Sequence, residues 1–200
     1  FKMSSVDSPV QSTDEPLESE GAELTVVKRE PPTEEKAVEL EAGKHLTFEE
    51  NSKGVDFGEL SGPYLKGAKE IKICDPYLRL YYQIKNLMEL MQIIHKQTPE
   101  GDEVKVHVIT HSDQVRCAEQ DESFSKISDT FIGTSISFSY EYDSKEISHD
   151  RYISTDTGWK IMLGRGLDVF QRYDMDAFSI ANHNQSERLC KEFSISYLKG

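Results

Sequence analysis

His149–Phe170, HDRYISTDTGWKIMLGRGLDVF, carries polar residues that cannot be explained as filler between apolar positions. Read as two strands joined by a loop, it sets His149 and Arg151 two residues apart, on one face of an extended segment. Asp156 follows at the next bend. A histidine, a fixed cation and a carboxylate brought together in one hairpin make a site for a phosphate-like anion. The guanidinium offers a planar fork of donors, and the histidine gives or takes a proton. A plainer reading stands beside this one. Asp156-Thr157-Gly158 serves as a hairpin turn, Trp159 as a core aromatic, and Gly164 and Gly166 shape a bend.

Outward from this stretch, composition sets the frame. At 36% hydrophobic, 200 residues allow one domain with a proper core plus an appendage that dilutes it. The chain begins at Phe1, and is read as the C-terminal part of a longer protein. A net charge of −13 argues against coating nucleic acid or anionic membrane by bulk attraction, while leaving room for a local basic pocket. Cys74, Cys117 and Cys190 have no metal or redox spacing and read as reduced, mostly buried thiols. His107 and His111 straddle a strand end, so no metal site is expected, and no cofactor either. No apolar run approaches the ~20 residues needed to span a bilayer. The expectation is a cytoplasmic protein, with a peripheral membrane location as the alternative.

Residues 1–43 hold eleven Asp and Glu against four Lys and Arg, and Lys2 to Thr47 contains no Phe, Trp or Tyr. Such a segment cannot bury enough apolar area to offset its ordering entropy, which predicts a disordered acidic linker. Leu24–Val27 and Thr33–Leu40 are its only candidates for local strand or helix. Residues 44–200 form the domain. Apolar spacing predicts a helix over Asp56–Lys69 with a Gly-Pro irregularity, and a strand at Ile71–Cys74 stopped by Asp75-Pro76-Tyr77. Asp75 is then either a ligand-edge carboxylate or the N-cap of the next helix. A helix follows over Arg79–Gln97, a strand at Val104–Thr110 with His111 just beyond it, a helix at Asp113–Ile132 and a strand at Ser135–Tyr142. After the hairpin come a loop or short helix at Asp176–Asn182 and a last strand at Glu192–Leu198. The order predicts an α/β layered fold with a mixed sheet flanked by helices.

His149-x-Arg151 with Asp156 after four more residues matches the H-x-K-x4-D pattern of the phospholipase D superfamily, with arginine in the lysine place. From about Leu46 to Leu198 the chain resembles the phospholipase-D-like module at the C-terminus of MIT-domain proteins. The resemblance is carried by Asp75-Pro76-Tyr77-Leu78-Arg79, Asn86-Leu87-Met88-Glu89, His149-Asp150-Arg151, Gly158-Trp159 and Gly164-Arg165-Gly166-Leu167-Asp168. Gly62–Ala68 and Phe178–Ala181 look most like the form found in the Lon-related protein of the bacterial BREX phage-exclusion system.

The resemblance implies a phospholipase-D-like fold. It also implies either an upstream AAA+ ATPase with a Lon-like domain, the first expectation, or an upstream MIT domain in a phosphoinositide-binding cytokinesis protein. Oligomerisation is expected through the parent. Phospholipase D chemistry needs two H-x-K motifs, one histidine attacking phosphorus and one protonating the leaving oxygen. This chain has one, with Arg151 for lysine and Gly164-Arg165 near where Gly-Ser belongs. The expectation is therefore a non-catalytic module that binds a phosphate-bearing ligand, a phosphoinositide or nucleic acid, or a partner protein. The candidate anion-binding residues are His149, Arg151, Arg165, Arg79, Asp75 and His111. Alternatively the two hairpin arginines pair with Asp75, Asp156 or Asp168. A dimeric phosphodiesterase using His149 and Asp156 is the third expectation.

Overall fold

Strands that alternate buried and exposed positions dictate a sheet with one covered face. In the computed structural model, which describes residues 40–143 and 149–200, seven strands form that sheet in the order β1-β7-β6-β5-β2-β3-β4. They are β1 His45–Phe48, β2 Glu70–Cys74, β3 Val104–Thr110, β4 Ile136–Tyr142, β5 Tyr152–Thr155, β6 Trp159–Leu163 and β7 Phe193–Lys199. β2, β3 and β4 run parallel, with Ile73 opposite Val108 and Val108 opposite Tyr140. All other pairings are antiparallel, so β5 enters beside the carboxyl end of β2, Tyr152 opposite Cys74. The mixed α/β layered sheet matches expectation.

Helices α1 Phe57–Leu60, α2 Gly62–Leu65, α3 Tyr81–Gln97 and α4 Cys117–Phe131 bury the apolar face. The long α3 presents Ile84, Leu87, Leu90, Met91 and Ile94, all at most 4% exposed, to Ile73, Val106 and Val108. The helix expected over Asp56–Lys69 is instead two short ones, because Pro63 cannot donate to the turn before it and α2 restarts around it. Asp56 caps α1 by accepting from Gly58 and Glu59 N–H. Asp75 does not cap α3. That helix starts after Leu80, and the Gln83 side-chain Oε1 accepts from the Arg79 and Leu80 N–H groups. α4 begins at Cys117, four residues later than its apolar spacing predicts, since Asp113 spends its carboxylate on a turn with Val115 and Arg116 N–H. Cys74 and Cys190 are buried, but Cys117 is exposed, on the outer side of the first turn of α4.

β1 has no counterpart among the strands read from sequence. Its Phe48 stacks on Phe193 at 4.5 Å, and Leu40, within the stretch expected as linker, packs against the core. The other linker segments, Leu24–Val27 and most of Thr33–Leu40, lie outside the described residues. Beyond β6 the chain packs Leu167, Val169 and Phe170 under the sheet, then forms the short α5 Ile180–His183. Arg188, 1% exposed, is held there by a two-pronged ion pair with Glu89 at 2.6 and 2.7 Å and by the faces of Phe170 and Tyr173.

Candidate functional site

Asp75 organises the carboxyl edge of β2. It is 1% exposed, and its two oxygens accept from Tyr77 N–H at 3.0 Å and Leu167 N–H at 2.8 Å. The carboxylate presses on Gly166, whose φ of +64° and missing Cβ are both required: a β-carbon there would overlap Oδ2. Burial pushes the Asp75 carboxyl up from its ordinary value, opposed by the two N–H bonds and by the charge of Arg151.

Tyr77, which the sequence marks only as part of a strand stop and of the family resemblance, is the ring on which two cations converge. The Arg151 guanidinium lies 4.4 Å from its centroid and that of Arg79 5.7 Å. Arg151 Nη1 donates to the Gly164 carbonyl at 2.6 Å, which fixes its fork across the edge. The Nε atoms of Arg79 and Arg151 are shielded from solvent and have no acceptor among the described residues. Just past β3, His111 Nε2 is likewise shielded and unpaired. A buried polar atom without a partner is costly, and these three stand at one edge of the sheet.

The expected pairing of Arg151 or Arg165 with Asp156 or Asp168 does not form. Asp168 is taken by Lys191 at 2.6 Å, and Arg165 Nε donates to the Glu192 carbonyl at 2.8 Å. Arg151 and Arg165 line a groove of about 640 Å³ with His45, Thr47, Gly164 and Ser194. Glu192, also in that wall, offsets part of the positive charge. The far wall comes from β1 and β7, so its polar residues could not be assigned to a site before β1 was known.

His149 and Asp156 do not converge. The whole of β5 separates them, four residues that span roughly 13 Å at ~3.3 Å per residue. Asp156 accepts from Lys69 N–H at 3.0 and 3.2 Å and so pins the β5–β6 turn to the start of β2. Gly158, with φ of +86°, completes that turn, as the plainer reading expects. His149 is exposed, and its ring has no hydrogen bond to a described residue. His107 bonds Ser139 at 2.9 Å on the outward face of the sheet, away from the cluster around Tyr77.

The chemistry on offer is anion capture. Two guanidinium groups held at one ring, with spare donors, suit a tetrahedral oxyanion, whereas no hydrogen bond from a described residue reaches the His149 ring to draw or deliver its proton. A family model described as a phospholipase D-like domain at the C-terminus of MIT matches residues 54–199. The chain is also similar to MIT domain-containing protein 1 of the mouse, Mus musculus, at 27% identity over 154 residues. That match takes in 76% of this chain and 60% of the mouse protein's length.

Proposed function

Since this chain belongs to the family of phospholipase D-like domains found at the C-terminus of MIT proteins, we propose that it is a recognition module which binds a phosphate-bearing ligand without turning it over. The observation that carries this reading is the pair of arginines on Tyr77, each with a shielded Nε that has no acceptor among the described residues. Arg151 and Arg79 bind the phosphate, Arg165 adds long-range attraction from the groove, and His111 donates from the β3 side. Asp75 and Gly166 position the edge. His149, exposed and unsupported, contributes a contact rather than a nucleophile.

The ligand source follows the parent. The similarity to MIT domain-containing protein 1 favours an upstream MIT domain and a phosphoinositide headgroup, met at a membrane surface. The likeness of Gly62–Ala68 and Phe178–Ala181 to the Lon-related BREX form favours an upstream AAA+ ATPase and nucleic acid in phage defence. The mass and peptide map of the intact native polypeptide distinguish these parents.

Calorimetric titration with soluble inositol trisphosphate tests the site. Losing Arg151, with charge-assisted hydrogen bonds worth ~1.5–3 kcal/mol, weakens binding by about 10- to 100-fold. Affinity falls with salt, because screening weakens the attraction between the basic pocket and the anion, and the acidic surroundings keep the binding modest. Binding that is indifferent to Arg151→Ala and Arg79→Ala sinks the reading. Phosphodiester hydrolysis that survives repurification and vanishes in His149→Ala would replace it with an enzyme.

A further inference from the structure

The two outer strands of the sheet are finished differently. β1 is four residues long and follows Lys44 directly. β4 runs for seven residues, ISFSYEY, without the lysine, proline or glycine that keeps most exposed edges from pairing. Val104 N–H donates to the Ser135 carbonyl and Asp143 N–H to that of Thr110, so the odd-numbered residues of β4 turn their backbone groups towards β3. Those of Phe138, Tyr140 and Tyr142 point away from the sheet, where they meet no partner among the described residues. The same three residues set half-buried rings along the edge, on the face that α4 covers. The Tyr140 and Tyr142 hydroxyls donate to Asp121 of α4 at 3.4 and 2.6 Å, which holds the rings against that helix. Ile132, about three helical turns beyond Asp121 and on the same side of α4, is 75% exposed.

An open edge of this kind calls for another strand, because only a second backbone satisfies a row of N–H and C=O groups at once. Alternation dictates what the side chains of that strand must be. On the helix face they lie against Phe138, Tyr140 and Ile132 and are apolar. On the open face they lie against Ser137, Ser139 and Glu141. The charge on this flank is negative. Glu141 has only the His107 ring, at 3.5 Å, and the Asp121 carboxylate receives only uncharged donors, the two tyrosines and Cys117. The nearby lysines are already paired, Lys126 with Glu122 and Lys105 with Glu70. We propose that β4 receives, as an eighth strand of the sheet, an extended segment of a partner protein in which apolar residues alternate with Lys or Arg. Because β3 lies between β4 and β2, this surface is separate from the arginines on Tyr77.

Hydrogen exchange of the full chain, read at single amides by NMR, tests this. In the free protein the amides of Phe138, Tyr140 and Tyr142 exchange fast and those of Ser139 and Glu141 slowly. The probe is a capped seven-residue peptide alternating valine and lysine. At saturation it should slow the three fast amides at least tenfold. Glu141→Gln, at a side chain 58% exposed, should weaken its binding at least threefold without moving the thermal midpoint. Methylating the peptide nitrogens of either all the valines or all the lysines should abolish protection for the set that faces β4 and spare it for the other. No protection at millimolar peptide overturns the proposal. So does equal binding of the two methylated peptides, or equal binding of a peptide alternating valine and glutamate. Protection that grows with protein concentration in the absence of peptide would overturn it in favour of a second copy at this edge.

Discussion

Gly166→Ala is the substitution with the most closely defined consequence. The residue sits at φ +64°, and a methyl group there would overlap the Asp75 carboxylate, which is 1% exposed and cannot swing into water. Two costs follow. Holding a non-glycine residue in the left-handed region costs ~1 kcal/mol. Displacing the carboxylate breaks its bond to Leu167 N–H and leaves a buried donor unpaired, at ~2–3 kcal/mol. The sum, ~3–4 kcal/mol, lowers the thermal midpoint of a domain this size by roughly 10 °C. Gly67→Ala is the control: its φ is +80°, with nothing within 4 Å of the added carbon, so it carries the backbone cost alone. Urea unfolding of both variants, and of Gly166→Ala in an Asp75→Ala background, separates the two costs. If Gly166→Ala proved no worse than Gly67→Ala, or its cost persisted without Asp75, the claimed contact would be refuted.

Arg188→Ala removes the two-pronged partner of the partly buried Glu89, which keeps Lys85 and Gln185, and should cost ~2–3 kcal/mol by urea unfolding, whereas Arg188→Met together with Glu89→Met is milder. Burial pushes the Glu89 carboxyl up, but the hydrogen bonds from Arg188, Gln185 and Lys85 outweigh it and hold it below its ordinary value of 4.5. The stability it contributes is therefore present above that value and lost as pH falls through the depressed one, so acid should narrow the midpoint gap between wild type and Glu89→Gln. Asp156→Ala removes the bonds to Lys69 N–H and should lower stability by ~1 kcal/mol while leaving inositol trisphosphate affinity unchanged; a drop in affinity would restore Asp156 to the site. Tyr77→Leu should weaken that affinity severalfold by freeing both guanidinium groups, and unaltered titration curves would count against the shared ring.

The sheet and its long helix were legible because their periodicity is carried by many residues at once: Val104, Val106 and Val108 point inward exactly as alternation requires, and α3 keeps one apolar stripe over five turns. β1 was illegible because four residues, HLTF, alternate too briefly to stand out from an acidic flank. Asp75 and His111 are readable as strand-end residues, since an Asp-Pro stop and the end of an alternating run are local signals, whereas nothing in the sequence puts Arg79 and Arg151 on one ring. The role of Tyr77 is not readable, because a ring between two arginines is a fact about β2 and β5 lying side by side. The H-x-R-x4-D spacing misled in one respect: the extended run of β5 holds Asp156 away from His149, and only a sharp reversal would have joined them. Glu89 and Arg188, 99 residues apart, left no trace at all before the fold was known.

The order of the sheet also governs how the domain can be made. β1 and β6 both wait for β7, and His45 pairs with Ser196, about 150 positions later. At ~5–20 residues per second, a ribosome leaves the edges of β1 and β6 open for up to about half a minute before their shared partner is synthesised. Open strand edges are templates for wrong pairings. The nascent chain therefore depends on a chaperone, or on the early packing of α3 onto β2 and β3, to keep those edges free until the closing strand arrives.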